Sequence, residues 1–215
     1  AQLVLLDSNF SGLPDVVLEG RRVINNLQRV ASLFLTKTTY ALLIALFAGL
    51  TGIVYPFLPR HLTLVGTLVI GVPSFFLALA PNTERVHGNF FREVAVVSLP
   101  AGVIAAGATL TGYLVARQES DLSVAQARTT AVLILAGVSL LVVIRTARPF
   151  VLWKLVMVVA MGALLVLAII TPLGRRFFEL DLPDAQTMWL VAGLIAIAGW
   201  LLALAAVVVP KFVRD

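Results

Sequence analysis

Apolar residues in this chain come in long unbroken runs, not in strand-like alternation. Six such runs lie at about 30–55, 62–80, 94–116, 127–145, 150–171 and 187–209. Each is close to the roughly 20 residues that a helix needs to cross the hydrocarbon core of a bilayer. The connections are short and rich in turn formers: Pro56-Phe57-Leu58-Pro59-Arg60, Pro81 to Glu93, Arg117 to Gln126, Thr146 to Pro149 and Pro172 to Gln186. Ser123 with Gln126 has the spacing of a capping box at the start of the fourth run, and Asp184 stands where a cap for the sixth is needed. The pattern predicts an all-α integral membrane protein, a bundle of six transmembrane helices over residues 29–215.

The stretch from Glu19 to Leu46 predicts one uninterrupted helix of mixed character. Its first half is polar and basic (Arg21, Arg22, Asn25, Asn26, Gln28, Arg29) and its second half is apolar. Such a helix starts in water and continues into lipid, so it can carry movement from a soluble part into the membrane. Before it, Leu3 to Leu6 is a short apolar run consistent with a buried strand, and Ser11 is placed to cap a helix starting near Leu13-Pro14. One strand and one helix cannot form a core alone. Residues 1–28 are therefore expected to be a cytoplasmic βα remnant and stalk, the end of a domain within a longer polypeptide.

Composition fits the membrane assignment: 60% of the 215 residues are hydrophobic and 13% charged, about half the charge of an ordinary soluble domain. The formal net charge of +5 is spread over short loops flanking apolar runs, with no aromatic interleaving, so a lipid bilayer and not nucleic acid is the partner it implies. Cysteine is absent, which excludes disulfides and thiolate metal sites. With residues 1–28 placed in the cytoplasm, Arg21, Arg22, Arg29, Arg85, Arg92, Arg145, Arg148, Lys154, Lys211 and Arg214 fall inside. Arg60, Arg117, Arg128, Arg175 and Arg176 fall outside. This bias predicts a multi-pass protein of the cell (plasma) membrane with both termini cytoplasmic.

Three stretches carry a family resemblance. Ala1-Gln2-Leu3-Val4-Leu5-Leu6-Asp7-Ser8-Asn9-Phe10-Ser11 is similar to the A-D-x-V-L-x-D-D-x-F-S segment that closes the phosphorylation domain of P-type cation-transporting ATPases. Glu19-Gly20-Arg21-Arg22-Val23-Ile24-Asn25-Asn26 resembles the E-G-R-x-I-x-N-N start of their fifth membrane helix. Gly71-Val72-Pro73 with Pro81-Asn82 resembles the G-x-P…N-P of their sixth. The last four runs match by count and not by motif. Among subtypes the chain looks most like the actinobacterial calcium-transporting E type. The resemblance implies the fifth to tenth helices of an ATP-driven cation pump, with calcium as first choice and other cations possible. It also implies a missing N-terminal part of the same pump as partner, and Mg²⁺ and ATP as cofactors of that parent.

Neither D-K-T-G-T nor G-D-G-x-N-D occurs in this chain, so no catalytic residue and no bound cofactor are expected within it. This stretch is not expected to hydrolyse ATP by itself. A stand-alone six-span permease or channel subunit is the alternative function, and a purely structural membrane scaffold a third.

The ion-pathway candidates are Lys37, Thr38, Tyr40, Thr67, Gly71, Pro73 and Ser74. Pro73 has no N–H and its ring opposes the carbonyl of Val69, so Gly71-Val72-Pro73 is expected to break the second span. The freed carbonyls would suit a hard cation; an ordinary proline kink is the bland reading. Against the family's N-x-x-T-D-G-x-P, the chain has Gly66, Val69 and Ile70 where an amide, a hydroxyl and a carboxylate stand. Against S-N-x-x-E it has Lys37-Thr38-Thr39-Tyr40-Ala41. Calcium takes six to eight oxygens, carboxylates among them, so a two-calcium site is not expected, and one completed by the missing fourth helix stays open.

Lys37 is the one charge well inside a run. A charge at mid-bilayer costs about 2.5–3.5 kcal/mol or more, and snorkelling and a functional role are both open. In the resembling proton/potassium pumps a lysine at this place serves as a built-in counter-cation. With Thr38, Ala41 and Ala45 forming one helical face towards the second span, Lys37 is expected near Gly71-Val72-Pro73. The metal ligand set is unknown: His61 and His87 lie in loops without partners at ligand spacing. Trp153, Trp189 and Trp200 are expected at interfaces or in packing, and Lys211, Arg214 and the Arg21/Arg29 face near anionic lipid.

Overall fold

In the computed structural model, residues 12–85, 88–119 and 121–214 are described, with side chains to 209. The expected strand at Leu3 to Leu6, Ser11 and His87 lie outside the described residues, as do the side chains of Lys211 and Arg214. Helix α1 runs without interruption over Leu13–Thr51. At 1.5 Å per residue it is about 58 Å long, roughly twice the thickness of a hydrocarbon core. It starts with Pro14 in its first turn behind an N-cap position held by Gly12, which supplies no side-chain cap. It ends where Gly52, at φ 71°, turns the chain left-handed and returns its N–H to the Ala48 carbonyl, a conformation that glycine adopts without a Cβ penalty.

The second span is continuous and not broken, which corrects the expected interruption. α2 (Pro59–Gly66) passes through a π-helical turn (Thr67–Gly71) into α3 (Val72–Ala78). The Val72 N–H reaches back five residues to the Thr67 carbonyl. Pro73 can donate to neither Leu68 nor Val69, so widening the turn absorbs the missing bond while the helix axis continues. The remaining spans are α4 (Phe90–Gln118), α5 (Val124–Thr146), α6 (Leu152–Ile170) and α8 (Ala185–Arg214). A short helix, α7 (Pro172–Phe178), capped by the Thr171 hydroxyl, lies in the segment expected to be a loop. Six helices among the described residues are long and apolar enough to cross a membrane, and the protein is a multi-pass membrane protein.

α4 and α5 form the centre. α4 packs along α1 on one side and along α5 and α8 on the other. α5 is apolar around its whole circumference and most of its length is buried, as a helix enclosed by others must be. Close approach between α1 and α4 depends on Gly102: a Cβ there would overlap the Thr39 side chain and stand 3.0 Å from the Thr36 carbonyl oxygen. Gly112 likewise admits the Ile134 side chain of α5, so the small-residue spacings Gly102/Ala106 and Ala108/Gly112 serve packing.

Two of the three expected caps form, the third, Ser11, lying outside the described residues. The Ser123 hydroxyl accepts from the Gln126 N–H while the Gln126 side chain accepts from the Ser123 N–H. Asp184 accepts from the N–H groups of Gln186 and Thr187.

Candidate functional site: the open face of α1 and the π-turned second span

α1 buries Leu33, Thr36, Tyr40, Ile44 and Ala48, spaced by three and four residues. This stripe packs on the rest of the chain. Thr38 and Ala45 are exposed, so the expected face of Thr38, Ala41 and Ala45 is not the one that meets a neighbour. The reason is phase. Gly102 accepts the Thr36 and Thr39 turn, and that contact rotates the next residues outward.

The candidate residues divide into two sets. Lys37, Thr38, Thr67 and Gly71 are half-buried or exposed; Tyr40, Pro73 and Ser74 are buried. In the first set, Lys37 and Thr67 border one cavity of about 400 Å³ together with Pro59, Leu62, Thr63 and Gly66. The Lys37 ammonium lies against Gly66, where an added Cβ would stand 3.4 Å from Nζ. Gly66 thus leaves the room that the ammonium occupies. The lysine sits where the π-helical segment begins, about one turn before Gly71-Val72-Pro73. It makes no hydrogen bond or ion pair with any described residue. Thr63, Thr67 and Gly71, four residues apart, are all exposed and align along that side of the second span.

In the second set the Ser74 hydroxyl is buried without a hydrogen-bond partner among the described residues. Thr36, Thr38, Thr39 and Ser32, by contrast, donate to the carbonyls four residues before them at 2.7–3.0 Å, the local solution that hydroxyls find inside a helix.

No Asp or Glu lies between Gly20 and Thr83, and the other apolar runs contain none. All eleven acidic residues stand at helix ends, in loops or near the termini. Hydroxyls, backbone carbonyls and one ammonium are what these helices offer. That set lacks the carboxylates that calcium takes among its six to eight oxygens. Among the described residues no cluster of His, Asp and Glu has metal-binding geometry.

The start of α1 is tied to the end of α3 by residues whose role the sequence pattern did not reveal. The Asn26 Nδ2 donates to the carbonyls of Ala78 (2.9 Å) and Ala80 (2.6 Å). Asn25 Nδ2 donates to Asn82 and Glu84, and Arg22 to Leu79. Asn26 and Arg22 therefore hold the carbonyls at the end of the second span, the groups that a helix end leaves without partners, and Asn25 holds the loop that follows. A buried amide on an otherwise polar helical stretch was the available signal. Nearby, Arg29 donates to the Arg148 carbonyl, Arg145 to that of Leu202 and Lys154 to that of Pro149. Lys154, at the start of α6, is buried, whereas Lys37 is half-buried.

At the other end of the bundle, His61 is buried. Its Nδ1 accepts from the Leu58 N–H at 3.2 Å, and Nε2 stands 3.5 Å from the Glu179 carbonyl. It lies in the first turn of α2, not in a loop as expected, and ties that helix to the end of α7. Trp189 and Trp200 are exposed, as interfacial residues are, while Trp153 packs on the core and faces the Lys154 ammonium at 5.8 Å.

Comparison with known proteins agrees with this arrangement. The calcium-transporting ATPase CtpE of Mycolicibacterium smegmatis is 41% identical over 212 residues, 93% of this chain and 27% of that protein. Over nearly its whole length the chain is thus similar to a membrane part of P-type calcium- and cation-transporting ATPases. The CtpE protein of Mycobacterium tuberculosis is 40% identical over 87% of the chain. The probable cation-transporting ATPase exp7 of Streptococcus pneumoniae is 31% identical over 87%. The chain spans about a quarter of the length of these P-type relatives. Its six spans correspond to a membrane part of such pumps. No protein-family model matches the chain.

Proposed function

We propose that this chain supplies part of the ion pathway of an ATP-driven P-type cation pump, with calcium the first choice of cargo. The observation that carries the proposal is the 41% identity to a calcium-transporting ATPase over nearly the whole chain. The open α1/α2–α3 face adds a physical reason. It presents an unpaired ammonium, two threonines and a widened helical turn to a region that this chain leaves uncovered. Residues 1–28 are assigned to the end of the phosphorylation domain and the stalk, and the long α1 to the transmission of its movement. Mg²⁺ and ATP belong to the parent's soluble part. Both termini are placed in the cytoplasm of a cell-membrane protein by the Lys and Arg bias.

Carboxylate ligands come from parts of the parent outside this stretch. Lys37 fills one cation position, which lowers the number of ions carried per cycle. Its contact with Gly66 of the second span, and not with an interfacial group, supports this over snorkelling.

The test uses the full-length parent in proteoliposomes, with radioactive calcium and a panel of other cations. ATP-dependent calcium movement through an acid-labile phosphoenzyme is the expected result, and movement without ATP would favour a permease. Lys37→Met should change the ion-to-ATP ratio or abolish transport while leaving membrane insertion intact. Normal transport at an unchanged ratio would reduce Lys37 to a snorkelling residue. Cysteines at Glu119 and Arg214 should label from opposite sides of the membrane.

A further inference from the structure

Two cavities meet at the end of the bundle where α1 leads into α2. One, of about 540 Å³, is apolar and runs between the second span and α6, with Leu68, Leu164 and Leu167 on its walls. The other, of about 520 Å³, is bordered by Arg60, Leu173, Arg176 and Phe177. Leu173 and Phe177 belong to both, so the two form one groove, apolar at its deep end and cationic at its rim.

α7 makes the junction. Thr171 and Pro172 turn the chain sharply out of α6, and Gly174 packs back against the Ala168 backbone so closely that no Cβ fits there. That contact holds α7 against the end of α6. Leu173 and Phe177, four residues apart, then share a face and are 79% and 65% exposed. Arg176, three residues after Leu173, stands beside them.

The guanidiniums differ in how they are engaged. Arg60 is held in place by Glu179 at 3.0 Å and by the Phe177 carbonyl at 3.2 Å. Arg175 donates to the Ile169 carbonyl at 2.6 Å. Arg176 has no hydrogen bond or ion pair with any described residue, although it borders the cavity. Three guanidiniums stand here against one carboxylate, Glu179. The acidic side chains of the same end gather elsewhere: Asp181 bonds Ser123, and Glu119 and Asp184 bond Thr187.

We propose that this groove binds one phospholipid with a net-negative headgroup, its acyl chain along Leu164 and Leu167 and its phosphate against Arg176 and Arg60. A planar guanidinium with free N–H groups suits a phosphodiester. The excess of two positive charges disfavours the cationic end of a zwitterionic headgroup. A detergent-like chain alone would leave the cationic rim without a counter-charge. The inference rests on the membrane placement of the six spans and stands whether or not transport is ATP-driven.

The test is native mass spectrometry of the full-length parent from nanodiscs of mixed phosphatidylglycerol and phosphatidylcholine. One tightly retained phosphatidylglycerol is expected in preference to phosphatidylcholine. Arg176→Gln should lower that retention about fivefold, the effect of one basic residue near a membrane surface, without altering the thermal unfolding of this exposed site. Arg176→Lys should retain an intermediate amount. Water-soluble glycerol phosphate should fail to displace the lipid, because it lacks the acyl chain. Equal retention of the two lipids by the unmutated protein would overturn the proposal. So would unchanged retention in a folded Arg176→Gln variant, or a cross-link from a cysteine at Leu167 to another helix of the parent, which would show protein filling the groove.

Discussion

α5 and α1 are both membrane-length helices, yet 72% of the most apolar stretch of α5 is buried and only 28% of that of α1. α5 is enclosed. Its Thr129, Thr130 and Thr146 hydroxyls bond the helix's own carbonyls, and its capping box closes its first turn. α1 is finished on one side only. Its buried stripe meets α4, while Thr38 is exposed and Lys37 borders the open cavity beside Gly66. The second span shares that openness through Thr63, Thr67 and Gly71. Scaffold and open face therefore answer to different physics. The scaffold is stabilised by small-residue contacts, and its Thr129, Thr130 and Thr146 bond their own helix, although the buried Ser139 and Thr109 hydroxyls have no partner among the described residues. The open face keeps one ammonium, Lys37, without a hydrogen bond or ion pair among the described residues, while its Thr38 and Thr63 hydroxyls bond their own helices.

The contrast is most directly broken at the seam between the two regions. Gly102→Leu should destabilise the bundle by about 3 kcal/mol, because a larger side chain must displace the Thr39 turn. Gly107→Leu, on the same helix with open space around it, should leave thermal unfolding in mild detergent nearly unchanged. Equal effects would mean that the seam is not tightly packed.

Asn26→Ala comes next. It removes two hydrogen bonds to the carbonyls of Ala78 and Ala80 and should cost about 2 kcal/mol. Hydrogen exchange should rise near residues 78–84 and not in α5. Uniform exchange would show that α1 and α3 are not clamped there.

Pro73→Ala should change stability by less than about 1 kcal/mol, since the π-turn already absorbs the missing bond. In the full-length parent it should nevertheless abolish most transport. Return to α-helical register would turn one part of the span by about 100° relative to the other, the rotation per residue of a helix. Full transport by this variant would remove the π-turn from the pathway.

The smallest effect is at the far end of the scaffold. Asp184 caps α8, and the Thr187 hydroxyl, followed by backbone N–H groups, holds its carboxyl below the usual range. A depressed carboxyl contributes stability above its unfolded pKa, about 3.9, and loses it as pH falls through the lower folded value. Asp184→Ala should therefore speed amide exchange at Gln186 and Thr187 at neutral pH, and the difference should vanish in strong acid. A difference that persists there would mean that the cap does not depend on the charge.

Length and apolar pattern alone determined the six spans, because each run is bounded by residues that cannot stay in hydrocarbon and each is long enough to cross it. The caps at Ser123 and Asp184 were legible for a similar reason: capping is local, set by residues two or three positions apart. α7 was missed although Thr171-Pro172 is a helix start, since seven residues are too few for a periodic signal.

Tertiary structure decided the rest. Which face of α1 is buried follows from Gly102 on another helix, and so the Thr38 face points outward. That Pro73 yields a π-turn and not a break depends on the clamp at Ala78 and Ala80 and on packing around Val69 and Ile70, both buried. The place of Lys37 follows from the space left at Gly66. The sequence could say that one cation lies within an apolar run. Only the packing of two helices, distant in neither chain nor space but rotated by contacts elsewhere, decides what that cation faces.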